Sequence, residues 1–217
     1  MTIFLFFAGC LSLPILFFIE SSIWYTRSSA ESGRQAWVIA KTNIILYFSR
    51  FMFLIYVSIV YLFIDSGVDE KKVYSLIIFS LGLSIFSHLL IFPRFGQRLG
   101  ILLAKISGMT TKKLIVNNVI HYNIIFYTSF AVFAICLGII APVLLAYLFP
   151  DYRLALSVSS QVMNAIGAFI LLAFLDPKLS ILMDQDKLHS ALLSYLYGRV
   201  IGFLLALSVI TIIFFLR

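Results

Sequence analysis

The sequence predicts an all-α integral membrane protein, in which a bundle of six transmembrane helices forms a single domain over residues 1–217. Composition is the first reason, because 62% of the residues are hydrophobic and only 12% are charged, about half the charged fraction of soluble domains. The second reason is that six apolar segments each reach the roughly 20 residues needed to cross a bilayer. The third is that no segment alternates polar and apolar residues at the period of a strand.

Hydropathy and proline positions set the bounds of the six helices. Pro93 follows the third segment and Pro150 follows the fourth, while Asp176-Pro177 closes the fifth, as expected for a residue that cannot continue a helix. The predicted helices cover about residues 2–25, 37–64, 73–92, 120–149, 154–175 and 189–216.

The long connection between the third and fourth helices has a helical pattern of its own. Leu99, Leu102, Leu103 and Ile106 recur at helical spacing among basic residues. This pattern predicts a short amphipathic helix that lies on the cytoplasmic membrane surface. An ordinary basic loop explains the same charges, and both interpretations stay open.

Basic residues are distributed unevenly between the two sides of the predicted bundle. The first, third and fifth loops hold ten Lys and Arg residues, whereas the opposite side holds four. The positive-inside rule therefore places the odd loops in the cytoplasm and both termini outside. Because the net charge of +7 is concentrated in loops, it favours anionic head groups over nucleic acid as a partner.

Two ionised residues interrupt the first two helices. Glu20 lies near the end of the first helix and Arg50 lies well inside the second. A charge near the bilayer centre costs roughly 2.5–3.5 kcal/mol, so such residues normally face a bundle interior or a wet cavity and indicate a functional site. We therefore expect the hairpin of residues 19–50 to be the working part of the protein.

The depths of these two charges can be compared along the hairpin. At 1.5 Å per residue, Glu20 lies roughly 9 Å and Arg50 roughly 20 Å from the connecting loop. This mismatch of about 11 Å favours separate sites at different depths, and a direct ion pair is the less favoured alternative.

Further polar residues fall on single faces of the predicted helices. Asn43 lies on the same face of the second helix as Arg50. In the fifth helix a polar stripe includes Asn164 and ends at Asp176, and Arg199 lies in the first half of the sixth helix. Polar stripes in a membrane must face protein or water, so their convergence would form a hydrophilic cavity open to the cytoplasm. Alternatively, the stripes join helices through hydrogen bonds and Arg199 snorkels to the interface.

Two other features of the helices have simpler interpretations. Gly198 and Gly202 form a GxxxG motif, which permits close helix packing. His88 lies close to a predicted helix end, and we expect it at the membrane interface.

An arginine inside an apolar wall fits the anionic head group of a lipid. The guanidinium offers paired donors that match phosphate and pyrophosphate, and Arg27, Arg34, Arg50 and Arg199 could form a path from the cytoplasmic surface toward the midplane. The sequence contains no HExxH, nucleophile elbow or Gly-rich phosphate loop. We therefore expect no cofactor, no metal and no catalytic residues.

Two stretches of the sequence resemble a known family. The resemblance is strongest over residues 19–50 and 158–186 and covers most of the chain. It rests on Ile19-Glu20, Arg27, Ser32-Gly33-Arg34, Ala40, Asn43, Ser49-Arg50, Val162 to Gly167, Asp176-Pro177 and Asp184. In these residues the sequence resembles the Amj-type (alternate) lipid II flippases.

The resemblance implies a function in peptidoglycan and cell-wall biosynthesis, and hence in cell shape. Members of such a family would move the undecaprenyl-pyrophosphate-linked precursor from the cytoplasmic to the outer leaflet of the bacterial cytoplasmic (inner) membrane. The substrate-binding residues would be Arg27, Arg34, Asn43, Arg50, Asn164 and Arg199. Because six helices form a small shell for so large a head group, a homodimer with a shared cavity is a further expectation.

Other classes of function stay open at this stage. One is a transporter of another lipid-linked sugar or a small solute, with Glu20, or Asp176, as a coupling or structural acidic residue. A membrane enzyme acting on polyprenyl phosphates would need paired carboxylates or a nucleophile near Arg50, which the sequence does not offer. The last alternative is a non-catalytic membrane scaffold.

Overall fold

The computed structural model describes residues 2–29, 35–91, 93–106, 108 and 119–217. Within these ranges every regular element is a helix. Six helical segments are long and apolar enough to cross a membrane. The prediction of an all-α membrane protein with about six spans is therefore confirmed.

The described residues form eight α-helices and two short helical segments of other types. A 3₁₀ turn covers Pro150–Tyr152, and a π-helical segment covers Leu171–Leu175. The α-helices are α1 (Thr2–Ser28), α2 (Gln35–Asp65), α3 (Glu70–Leu90), α4 (Pro93–Ile106), α5 (Tyr122–Leu148), α6 (Arg153–Ile170), α7 (Asp176–Asp184) and α8 (Leu188–Leu216).

The fifth span differs from its prediction. We expected Asp176-Pro177 to close it, but α6 continues through the π-helical segment into α7, and the apolar span runs from Val162 to Asp184. Pro177 lies in the first turn of α7, where the amide hydrogen it lacks can be lost at little cost. The preceding π turn interrupts the regular ladder just where the proline ring would otherwise clash.

The helices pack as two groups joined by α8. In the first group α1 contacts α2, α3 and α4, and in the second α5 contacts both α6 and α8. The last helix also packs against α3 and α1. As a result, residues of α1 and α8 face each other in the middle of the bundle.

Contacts at the two ends establish the helix directions. At one end Arg217 donates to a carboxylate oxygen of Glu70 at 2.6 Å, and the Tyr147 hydroxyl donates to the Val68 carbonyl at 3.0 Å. At the other end, where α1 ends and α2 begins, Tyr25 shares a buried apolar cluster with Leu188. We call this second end the hairpin end.

Small residues hold α8 against α5. A Cβ added at Gly198 would lie 2.7 Å from the Ile125 carbonyl oxygen, and one at Gly202 would lie 2.7 Å from that of Ser129. The predicted packing role of the GxxxG motif is therefore confirmed. Because this seam fixes the rotation of α8, it also fixes the direction of the neighbouring Arg199.

Helix α4 occupies the position at which the sequence predicts a short helix between the third and fourth spans. Its placement on the cytoplasmic side stays a prediction. The basic residues Lys112 and Lys113, which contribute to that orientation, lie outside the described residues.

Candidate functional site

A single carboxylate links three helices in the middle of the bundle. Glu20 of α1 accepts a hydrogen bond from Arg199 Nη2 of α8 at 2.9 Å. Its other oxygen lies 3.3 Å from Arg50 Nη2 of α2. We call Glu20, Arg50 and Arg199 the charge triad.

The members of the triad differ sharply in exposure. The Arg199 side chain is 3% exposed and that of Glu20 is 10% exposed, whereas the Arg50 side chain is 48% exposed. The triad thus has a sealed end at Arg199 and an open end at Arg50. Only the open end is available to a ligand in this arrangement.

Aromatic rings and a hydroxyl surround the sealed end. Arg199 Nη1 donates to the Tyr195 hydroxyl at 2.5 Å. The guanidinium carbon lies 5.0 Å from the ring centroid of Phe17 and 6.0 Å from that of Phe203, within the range of cation–π attraction. These contacts give a buried cation partners other than water.

The direct pairing of Glu20 with Arg50 contradicts the expectation of separate sites. Glu20 and Arg50 are offset along the helix axes as expected, but the expectation takes no account of the direction of their side chains. Side chains on a helix lean toward its N-terminus. Since α1 and α2 are antiparallel, Glu20 leans away from the hairpin end and Arg50 leans toward it. The two side chains therefore close the offset from both sides.

The triad lies within the membrane-spanning part of the helices. Counting along each helix from the hairpin end at 1.5 Å per residue puts Glu20 at about 12 Å, Arg199 at about 16 Å and Arg50 at about 22 Å. Arg50 is the central residue of α2. Such depths are within a hydrocarbon core of about 30 Å, where unpaired charges are costly.

A second polar cluster lies nearer the hairpin end. Arg27 Nε donates to Thr42 Oγ1 at 2.9 Å, and Arg27 Nη2 donates to Asn43 Oδ1 at 2.6 Å. The guanidinium also covers the Trp24 ring at 4.6 Å, and Asp176 is close enough to attract it. The predicted path of arginines from the cytoplasmic surface would leave Arg27 open to a ligand, but Arg27 is buried and its donors join α1 to α2.

The other predicted binding residues lie elsewhere. Asn164 packs against α5, because a Cβ added at Gly138 would lie 2.8 Å from its Oδ1. That oxygen is buried and has no hydrogen-bond partner among the described residues. Arg34 lies outside the described residues.

His88 is a polar residue near the triad whose placement the sequence did not reveal. We expected it at the interface, but it is fully buried. Its Nδ1 donates to the Ser84 carbonyl at 2.6 Å, and its Nε2 lies 2.8 Å from Ser21 Oγ. The reason is packing, since Ser21 of α1 and Phe203 of α8 cover the end of α3. The sequence offers one signal for this placement, which is that Ser21, the partner of His88, directly follows Glu20.

The charge triad is suited to binding an anion. Two guanidinium groups face one carboxylate, so one positive charge is left without a counter-charge. The residues around Arg50 on α2, namely Tyr47, Phe51 and Leu54, are exposed apolar side chains of the kind that faces lipid. Within the described ranges, no group of three His, Cys, Asp or Glu side chains could hold a metal ion.

Fold and site together define an integral membrane protein with an arginine centre accessible from the side of its helix bundle. Residues 102–211 match the family model Amj, Alternate to MurJ, which is just over half of the chain. The chain belongs to this family. Its name implies a lipid II flippase, a transporter class and not an enzyme class. Searches of the curated proteins and of the solved structures found no significant match.

The matched region includes one arginine of the triad but not the first hairpin. Arg199, Asn164 and Asp176 fall inside residues 102–211, whereas Glu20 and Arg50 precede them. The hydrogen bond from Arg199 to Glu20 therefore connects the matched region to the hairpin that we expected to be the working part.

Proposed function

We propose that this protein moves lipid II, the undecaprenyl-pyrophosphate-linked peptidoglycan precursor, from the cytoplasmic to the outer leaflet of the bacterial inner membrane. The pyrophosphate binds at the open end of the charge triad. The observation that carries this proposal is a half-exposed arginine at the centre of a membrane helix, paired with a carboxylate that a second, buried arginine already neutralises.

Charge and geometry explain why the ligand would be a pyrophosphate. Arg50 has no acidic residue within one turn of its own helix, so Glu20 and the ligand share it. A phosphate oxygen can replace the 3.3 Å contact with Glu20, because Arg199 still holds that carboxylate by a hydrogen bond. Arginine binds phosphate through two parallel donors, so the gain from the ligand exceeds that from the imperfect contact it displaces.

The surroundings of Arg50 explain why the ligand would be a lipid. Exposed apolar side chains flank Arg50 along α2. A lipid can therefore approach from the bilayer with its tail in hydrocarbon, while its head group reaches the guanidinium. A water-soluble anion would have to cross that apolar surface unaccompanied, at high cost.

The remaining residues have supporting parts in this proposal. Arg27, which binds Thr42 and Asn43, holds the hairpin in register. Arg34, which lies between α1 and α2 in the sequence, takes part in capturing the head group. Glu20 positions the two arginines of the triad, because both of its oxygens face guanidinium groups.

Lipid II translocation by the purified protein in liposomes tests the proposal. We expect Arg50→Ala to abolish translocation and Arg50→Lys to impair it strongly, because lysine keeps the charge but loses the paired donors. Lys72→Ala is the matched control, since this exposed cation lies at the opposite end of the bundle. Full translocation by Arg50→Ala, at equal incorporation into the liposomes, would overturn the binding site.

The orientation in the membrane has a separate test. Asp69 and Lys187 are exposed and lie at opposite ends of the bundle. In intact cells we expect an impermeant thiol reagent to label Asp69→Cys and not Lys187→Cys. The reverse result would place the termini in the cytoplasm.

A further inference from the structure

Helix α4 presents three different stripes along its length. A small stripe is formed by Gly96, Gly100 and Ala104, each four residues apart. Phe95 and Leu102 belong to an apolar stripe, and Arg98 and Lys105 to a basic stripe beside it. Residues seven apart lie on one face of a helix, so each pair forms one stripe. Phe95 and Arg98 are three residues apart, so the apolar and basic stripes are neighbours on the helix surface.

The small stripe fixes α4 against α1. A Cβ added at Gly96 would lie 2.7 Å from a ring carbon of Tyr25, and one at Gly100 would lie 2.9 Å from the Tyr25 carbonyl carbon. Ala104 is almost fully buried. Because only small residues permit this approach, the rotation of α4 about its axis is determined by the contact.

This rotation leaves the other two stripes exposed with respect to the described residues. Phe95 is 52% exposed and Leu102 is 53% exposed, and both Arg98 and Lys105 are exposed. An amphipathic helix that served only to pack on the bundle would bury its large apolar residues first. Here glycines are buried instead, so the apolar edge is available to something else.

The position of α4 indicates what covers it. It begins directly after α3 and rests on the last turns of α1, next to Tyr25 and Thr26. This is the end of two membrane spans, where acyl chains give way to lipid head groups. An apolar edge with a basic edge beside it matches that boundary in both polarity and charge.

We propose that α4 is a binding surface for anionic phospholipid head groups of the surrounding bilayer. Phe95 and Leu102 lie among the upper acyl chains, while Arg98 and Lys105 contact lipid phosphates. Basic residues at a membrane surface each strengthen binding to anionic lipid by up to roughly fivefold. This surface is distinct from the charge triad and would operate whatever lipid the protein transports.

A fluorophore attached to Phe95→Cys tests this proposal in the full-length protein. The native Cys10 and Cys136 are buried, so labelling is directed to the new thiol. The protein is placed in vesicles that contain phosphatidylcholine and phosphatidylglycerol, with brominated acyl chains on one or the other. We expect brominated phosphatidylglycerol to quench the fluorescence several-fold more strongly than brominated phosphatidylcholine. In an Arg98→Gln, Lys105→Gln variant this preference should fall toward equality.

The matched control removes two cations from the other end of the bundle. In a Lys71→Gln, Lys72→Gln variant we expect the preference at the labelled position to be unchanged. Equal quenching by both lipids in the parent protein would overturn the proposal, as would a preference that survives the loss of Arg98 and Lys105. Quenching by aqueous iodide but by neither lipid would show that α4 faces water and would also refute it.

Discussion

The two arginines of the charge triad should differ in how much each contributes to the stability of the protein, and replacing each by methionine measures that difference. Arg199 is sealed in the bundle with Glu20, so Arg199→Met leaves a carboxylate with only its longer contact to Arg50. Breaking a buried ion pair from one side costs about 3–5 kcal/mol. We expect the lower part of this range, because Arg50 still lies nearby.

For Arg50→Met we expect little loss of stability. Methionine suits this position among exposed apolar side chains and leaves no charge without a partner, so the change in stability should be within about 1 kcal/mol. Glu20 also keeps its hydrogen bond to Arg199. The two variants should therefore differ by at least about 2 kcal/mol in the free energy of unfolding, although each removes one guanidinium from the same carboxylate.

Thermal unfolding in a single detergent measures the difference. For a chain of this size, about 3 kcal/mol corresponds to a decrease in Tm of roughly 6–12 °C, which we expect for Arg199→Met. Arg217→Met is the matched control, because it removes a surface ion pair with Glu70, and its decrease in Tm should stay within about 4 °C, as should that of Arg50→Met.

A second substitution tests whether the buried carboxylate that lost its hydrogen-bonded partner is the cause. Adding Glu20→Gln to Arg199→Met should recover part of the lost Tm, because the buried negative charge is then removed and only the half-exposed Arg50 stays charged. An equal loss of Tm in Arg50→Met and Arg199→Met would refute this reasoning. So would a double variant that is less stable than Arg199→Met alone.

The charges of the triad and the contact between α5 and α8 can each be tested by substitution. Exchanging the charges in a Glu20→Arg, Arg50→Glu variant should not restore translocation, even though the two residues are paired, because the new arginine would face Arg199; restored translocation in liposomes would contradict this. Gly202→Leu should destabilise the protein by about 1–3 kcal/mol through overpacking against α5, whereas Gly82→Leu, with open space around its Cβ position, should change the Tm little, and equal Tm values for the two would contradict the packing role.

Sequence reasoning predicted the spans well because hydropathy is a property of long segments. Twenty apolar residues in a row can satisfy their backbone in lipid only as a helix, so composition alone determines the class. The bounds of single elements depend on local geometry and are harder to predict. Asp176-Pro177 predicts the end of a helix, but the helix continues, because a π turn that lets it pass through a proline has no sequence signature of its own.

The charged residues of the site could be chosen from the sequence, but their partners could not. Glu20, Arg50 and Arg199 stand out because ionised residues are rare in apolar segments. Their pairing depends on the lean of side chains in antiparallel helices and on the rotation of α8, which its contact with α5 determines. The same dependence on neighbouring helices explains why the sequence does not predict the burial of Arg27 and His88.

The placement of the triad reconciles two demands on an arginine in a membrane. A cation that binds a ligand must be available, yet a cation in hydrocarbon without a partner is costly. Glu20 meets both demands, because its hydrogen bond to the sealed Arg199 fixes it while its second oxygen faces the open Arg50 through a weaker contact. Arg50 is therefore paired in this arrangement, and under the proposed function an incoming phosphate would displace only the weaker contact of the two.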